Sequence, residues 1–292
     1  MAEKNVPKVK ADLKLKLMGY ALWYTFCFVT CFLISIFVIT KKQFPDFGVR
    51  VRYNFLFGLV GGALLEVILF KVVFKLLLGK TRDHLKETLT RIDSEGYTPE
   101  VMNLLYEGYE KNAAISTNAG YANLYALYLA DAYIAAHDYL RAMQYNNSVN
   151  VTELFRYDTE GTIPDRLFWF SQRIHISAVM GNIPECEQCM REAEPFFRKI
   201  RGKNPAFDYI ADGSLFEYFF AIGDLVRCEA LVTPYLEYTE LKYGSLVALG
   251  RVCARKGDSF LANKYFDNAY MSAKNDYFKQ LCENERRCAF GN

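Results

Sequence analysis

Hydrophobic and polar positions follow two regimes along the chain. From Leu17 to Thr40 there is no charged residue. A helix of that length is roughly 36 Å long, enough to cross a hydrocarbon core of about 30 Å with some tilt. Tyr20, Trp23 and Tyr24 near its start suit a membrane interface. KKQFPDFGVRVR follows, and its Pro45 and Gly48 predict a turn. A second apolar run covers Tyr53–Phe70, extending to Leu78 if Lys71 and Lys75 reach out to headgroups. The pair predicts a transmembrane helical hairpin over residues 17–78, with spans at about 17–40 and 53–78. A signal peptide would have an apolar core about half as long and a small-residue cleavage site. The first run instead ends in Val-Ile-Thr-Lys-Lys, which predicts a retained helix.

Gly58 and Gly62 form a GxxxG pair in the second run. Small residues at that spacing let two helix backbones approach closely, within the hairpin or between copies of the chain. Glu66 lies in the same run, at a depth that would match Tyr24 and Thr25 in the hairpin. An intramembrane carboxylate is expected to be paired within the hairpin or to meet a membrane partner, and a lone one is poor material for a transport path.

From Thr81 onward apolar residues recur at three and four, which predicts an all-α body. TRDHLKETLTRID (81–93) reads as an amphipathic juxtamembrane helix, and Thr98-Pro-Glu100 as a capped helix start. Residues 79–118 form this connecting segment. In 246–270, Leu246, Leu249, Gly250 and Cys253 share one helix face, Lys256-Gly257-Asp258 makes a turn, and Ala262, Phe266 and Ala269 share a second face. Equivalent turns fall at His137-Asp138, Gly181-Asn182 and Gly223-Asp224, so successive turns are 44, 42 and 34 residues apart. Four residues after each Asp or Asn stands a small residue: Ala142, Cys186, Cys228, Ala262.

The Gly250 position, the Gly-Asp turn and the Ala262, Phe266, Ala269 spacing resemble the tetratricopeptide repeat (TPR) family. The resemblance covers about residues 119–275, within a unit of 119–292 that Asp276–Phe290 would close as a capping helix. It implies a TPR-like α-solenoid that acts as a scaffold or peptide binder, with the first helix of each pair lining a concave groove. In that register the groove residues are Tyr128, Asp131, Gln172, His175, Glu217, Phe220, Arg251 and Arg255. Arg251 and Arg255, one turn apart, would suit a carboxylate, and Asp131 and Glu217 a basic or mixed segment. Ile174 and Phe216 stand where a small residue is expected, which predicts looser or rotated packing in the middle pairs.

Charge sharpens this division. Residues 1–91 hold fifteen Lys/Arg against six Asp/Glu, and residues 92–292 twenty against twenty-seven. An acidic body disfavours nucleic acid, and a basic head beside apolar runs suits anionic lipid. Five lysines in the tail (residues 1–16) and six Lys/Arg from Lys71 to Arg91, against four in the loop, orient both ends and the body into the cytoplasm at the inner membrane.

Several of the eight cysteines fall on apolar helical phases, as free thiols in a reducing compartment do. The single CxxC, Cys186–Cys189, has no second pair at metal spacing, so no metal is expected. Phosphate-loop, HExxH and nucleophile-elbow patterns are missing, so neither cofactor nor catalytic residue is expected. His175 with Cys186 is the nearest candidate for a thiol–imidazole pair. The expected partners are a protein, as a peptide segment or a membrane complex, and membrane lipid, with a homo-oligomer possible through the glycine pair. Two roles fit best, an adaptor recruiting through the groove or an accessory subunit of a membrane transport, secretion or assembly complex docking through the hairpin, with an enzyme of unrecognised site as the third and weakest reading.

Overall fold

A computed structural model describes residues 23–34, 47–115, 118–156 and 160–291. Every regular element among them is helical. The chain divides into two compact units at Arg82/Asp83.

The first unit contains α1 (residues 23–34) and most of α2 (Phe47–Glu95), which runs on into the second unit. Of the turn expected over 41–52, residues 47–52 are helical, because α2 has already begun at Phe47, and residues 41–46 lie outside the described residues. Gly48 therefore sits inside the first helical turn, where a glycine costs only about 1 kcal/mol. The two helices pack at Gly62, where a Cβ would stand 2.8 Å from the Cα of Phe28. Gly58 and Glu66 lie outside the described side chains. Around this contact the usual sorting of residues is reversed. Cys27, Cys31 and Asn54 are buried, while Phe26, Leu33, Phe55, Leu56, Val60, Leu64, Val67 and Ile68 are each more than half exposed.

Among the described residues no helix is long and apolar enough to cross a membrane. Of the first expected span, residues 17–22 and 35–40 lie outside the described residues, as do the side chains of 69–78 in the second.

The second unit is a series of packed helix pairs. Leu85 of α2 and Val101 and Leu105 of α3 (Pro99–Ala113) bury against Tyr125 and Leu129 of α4 (Ala119–Ala135). α4 pairs with α5 (Tyr139–Ser148), α7 (Ile163–Val179) with α8 (Ile183–Ile200), α9 (Pro205–Ile222) with α10 (Leu225–Val232), and α11 (Thr239–Arg255) with α12 (Ser259–Ser272). The first helices also pack side by side, α4 on α7 and α7 on α9. A short α6 (Val151–Leu154) fills the first connection, and α13 (Asp276–Phe290) packs on α11 and α12.

One local device makes all four pair turns. A residue at positive φ ends the first helix: Gly181 (72°), Gly223 (83°), Gly257 (83°), and His137 (57°) in place of glycine. The next side chain caps the second helix. Asp138, Asn182, Asp224 and Asp258 accept from the amides of Arg141, Glu185, Arg227 and Leu261. The small residue four positions later is fully buried in every pair: Ala142, Cys186, Cys228, Ala262.

The expected looseness in the middle pairs is not found. Ile174 and Phe216 are buried, and the thiols of Cys186 and Cys228 donate to their carbonyls, each at 3.6 Å. A bulky residue on the first helix is thus met by a slim, polarisable one on the second. In the last pair the bulk is reversed. Gly250 leaves room for Phe266, whose ring carbons would lie 2.9–3.0 Å from a Cβ there.

Candidate functional site

The inward faces of α4, α7, α9 and α11 converge on a polar centre, and α13 forms its remaining wall. A cavity of about 450 Å³ is lined by Asp131, His175, Glu217 and Arg251 from those four helices and by Leu281 and Glu285 of α13. A second, of about 660 Å³, is lined by His137, Tyr139, Phe220, Arg255, Cys288 and again Glu217, Arg251 and Glu285.

Glu217 organises the centre. It takes a bidentate pair from Arg251, Nη1 to Oε1 at 2.7 Å and Nη2 to Oε2 at 2.9 Å, and His175 Nδ1 stands 3.4 Å from Oε1. Burial alone would raise its pKa, but Arg251, then His175, hold the carboxyl well below the usual range. Burial works against the Arg251 charge too, and Glu217 overcomes it, so the guanidinium is held even more firmly protonated. Beyond it, Glu285 lies 3.9 Å from Arg251 Nε and 3.5 Å from His137 Nε2. Asp131 sits on the other flank, accepting from the Tyr97 hydroxyl at 2.5 Å. Its pKa is raised by burial, which that hydrogen bond only partly offsets.

The eight expected groove residues therefore separate. Asp131, His175, Glu217, Phe220, Arg251 and Arg255 line the two cavities. Arg251 is not an open carboxylate receptor, since Glu217 occupies both ends of its fork. Arg255 is exposed, bonded to the Phe220 carbonyl, with its guanidinium 4.7 Å above the Phe220 ring. Gln172 edges the smaller cavity but is only 2% exposed, and its amide is committed to Leu127 O at 2.8 Å and to Asn146. It ties α7 to α4. Tyr128 is half-buried, with its ring 5.5 Å from that of Phe168.

The His175–Cys186 pair does not form. The Cys186 thiol is spent on Ile174 O and pushed up to about 12 by burial, while His175 turns to Glu217. Among the described residues no group of three or more His, Cys, Asp or Glu is arranged to hold a metal.

Sequence reasoning missed three residues here: His137, Glu285 and Cys288. Cys288 is exposed, and its Sγ lies 3.9 Å from His137 Nε2. One signal was available, because His137 stands where the other three turns carry glycine. Glu285 and Cys288 gave none, since nothing in α13 reports that it turns back onto the inner face.

Comparison with protein-family models, curated proteins and solved structures finds no match to this chain.

Proposed function

We propose that the chain is a membrane-anchored adaptor. A two-span hairpin over residues 17–78 fixes it in the inner membrane with both ends in the cytoplasm, and a TPR-like solenoid recruits a protein partner there. The observation that carries the anchor is the reversed sorting of the first unit. Water-soluble units rarely expose contiguous apolar surface of this kind, whereas lipid requires it. The recruiting role rests on the inward polar faces of α4, α7, α9 and α11, combined with the family resemblance in the turns and small residues. Tethering to a surface raises the effective concentration of a recruited protein without any added contact.

The accessory-subunit alternative needs a free glycine face for docking. Gly62 is already spent on Phe28 within the hairpin, which favours the adaptor.

Alkaline carbonate extraction tests the anchor: the chain should remain with the membrane pellet, and release would refute a spanning hairpin. Crosslinked pull-down from native membranes tests recruitment. Arg255→Glu should cost a cytoplasmic partner at least tenfold in yield without loss of folded protein. Unchanged recovery would remove the inner face from the recruiting role.

A further inference from the structure

α13 does more than close the last pair. Its N-terminal end is fitted to the end of α2. Asn275 donates to Ser94 O at 2.9 Å, Lys274 pairs with Asp93, and the Tyr277 ring lies on Gly96, where any Cβ would overlap it at 2.0 Å. Its middle is held by Tyr243, whose hydroxyl donates to Phe278 O at 2.7 Å, and by Cys282, buried against the Phe266 carbonyl. Its C-terminal half meets the α4–α5 turn through Glu285, with His137 Nε2 at 3.5 Å. The helix thus bridges the first and last pairs across the inner face, over both cavities.

The attachment is mixed: beside these polar contacts, Cys282, Ala289 and Phe290 pack against Leu246 and Phe266, but little of the helix is fully buried. α13 has 15 residues and only Cys282 is fully buried, whereas α12, with 14, buries three and α7, with 17, buries ten. The contact residues fall at 277/278, 281/282, 285 and 288, the spacing of one helical face. The latch at its far end carries backbone strain. His137 holds φ 57° where the three equivalent turns use glycine, and a non-glycine residue persists there when its side chain has a task.

We infer that α13 is a displaceable intramolecular occupant of the recruiting face, and that the partner is an amphipathic helix of the same chemistry. That partner would present an aromatic pair, a small residue one turn on, and a carboxylate about two turns along for His137 and Arg251. The carboxylate follows from charge complementarity, because Glu285 is the acid that α13 itself offers to the Nε edge of Arg251, which lies outside the fork that Glu217 takes, and to the His137 ring. This deepens the adaptor reading and rests on it.

The test uses the full chain in phospholipid vesicles and a labelled synthetic peptide with the sequence of residues 274–291. Amide hydrogen exchange of 276–290 is followed in wild type, Glu285→Lys and His137→Gly. His137→Gly restores the glycine pattern of the turn, so the remaining pairs should hold their protection while α13 loses its latch. Exchange of α13 should rise at least tenfold over that of α11 and α12 in both variants. Peptide affinity should rise at least tenfold in Glu285→Lys, which releases α13 while leaving His137 and Arg251 in place to receive the peptide.

If α13 exchanges in step with α11 and α12 in all three chains, it is a fixed part of the fold and the inference fails. Release without peptide binding also overturns it. Release accompanied by a dimer that swaps α13 would make a second copy the occupant and remove the partner helix. Because exchange reads α13 directly, those outcomes leave the anchor and the Arg255 pull-down untouched. Loss of the pull-down effect with α13 released would count against the adaptor itself.

Discussion

The two units solve the same packing problem with opposite sorting. In residues 83–292 large apolar side chains turn inward: Tyr125, Ile174, Phe216 and Phe266 are buried, and the helix surfaces carry ion pairs such as Arg198–Glu194. In the hairpin small and polar residues turn inward and large apolar ones outward. Helix pairing in the first case is driven by removing apolar area from water. In the second it rests on close backbone approach at Gly62, the contact that a residue without a Cβ allows. The same contrast marks charge. The second unit buries Glu217 in a pair with Arg251, while the buried residues described in the first unit are all uncharged.

The comparison breaks most sharply at Arg251. Replacing it with Met leaves Glu217 buried with its principal counter-charge gone, which should cost about 3–5 kcal/mol. Urea titration followed by hydrogen exchange should show the loss spread over α7, α9 and α11, with hairpin protection unchanged. Exchange rising equally in α1 would mean the units do not hold separately.

Gly62→Val tests the other side. The Cβ would meet backbone rather than a flexible side chain, so the neighbour cannot yield, and about 1–3 kcal/mol of hairpin packing should be lost. Interhelix crosslinking between α1 and α2 in vesicles would read it. Here the second unit should be the indifferent one, with its thermal transition unmoved.

What could be read beforehand follows the same division. The four pair turns were legible because each is local: an αL residue, a capping Asp or Asn, and a small residue four positions on, all within six residues. The inner site was only partly so. Asp131, Glu217 and Arg251 followed from the helical register, but the pairing of Glu217 with Arg251 depends on how α9 and α11 lie side by side, which no local pattern states. Gln172 shows the cost: the register placed it at the groove, and a contact to Leu127, 45 residues away in sequence, took it into the core. The return of α13 was invisible because its amphipathic pattern is equally that of an ordinary capping helix.

A smaller effect sharpens the account of the turns. Asp224→Ala and Asp258→Ala remove the cap acceptor from an otherwise unchanged turn and should each cost about 1 kcal/mol. In a unit of this size that is a fall of about 2–4 °C in thermal midpoint. A negligible change in both would mean that the glycine at positive φ, rather than the cap, sets these turns.

The smallest expected effect concerns pH. Asp165, in the first turn of α7, is pushed up to about 6 by burial from a usual value near 3.8. The fold therefore favours its protonated form, a contribution that is complete below about pH 4 and lost as pH rises through 6. Asp131, also raised by burial, acts in the same direction. Glu217, held low by Arg251, has the opposite sign: its contribution is present above the usual glutamate range and is lost only as pH falls toward its depressed value. Thermal stability of residues 83–292 should thus rise on acidification from pH 7 to 5 and fall in stronger acid. Asp165→Asn should flatten the rise, by about 2–4 °C or less given its partial exposure, and leave the acid fall intact. Replacing Arg251 should do the reverse, erasing the fall and keeping the rise. A variant that flattened both limbs would show that Asp165 and the Glu217 pair titrate as one group, and the polar centre would then reach further toward the start of α7 than its contacts indicate.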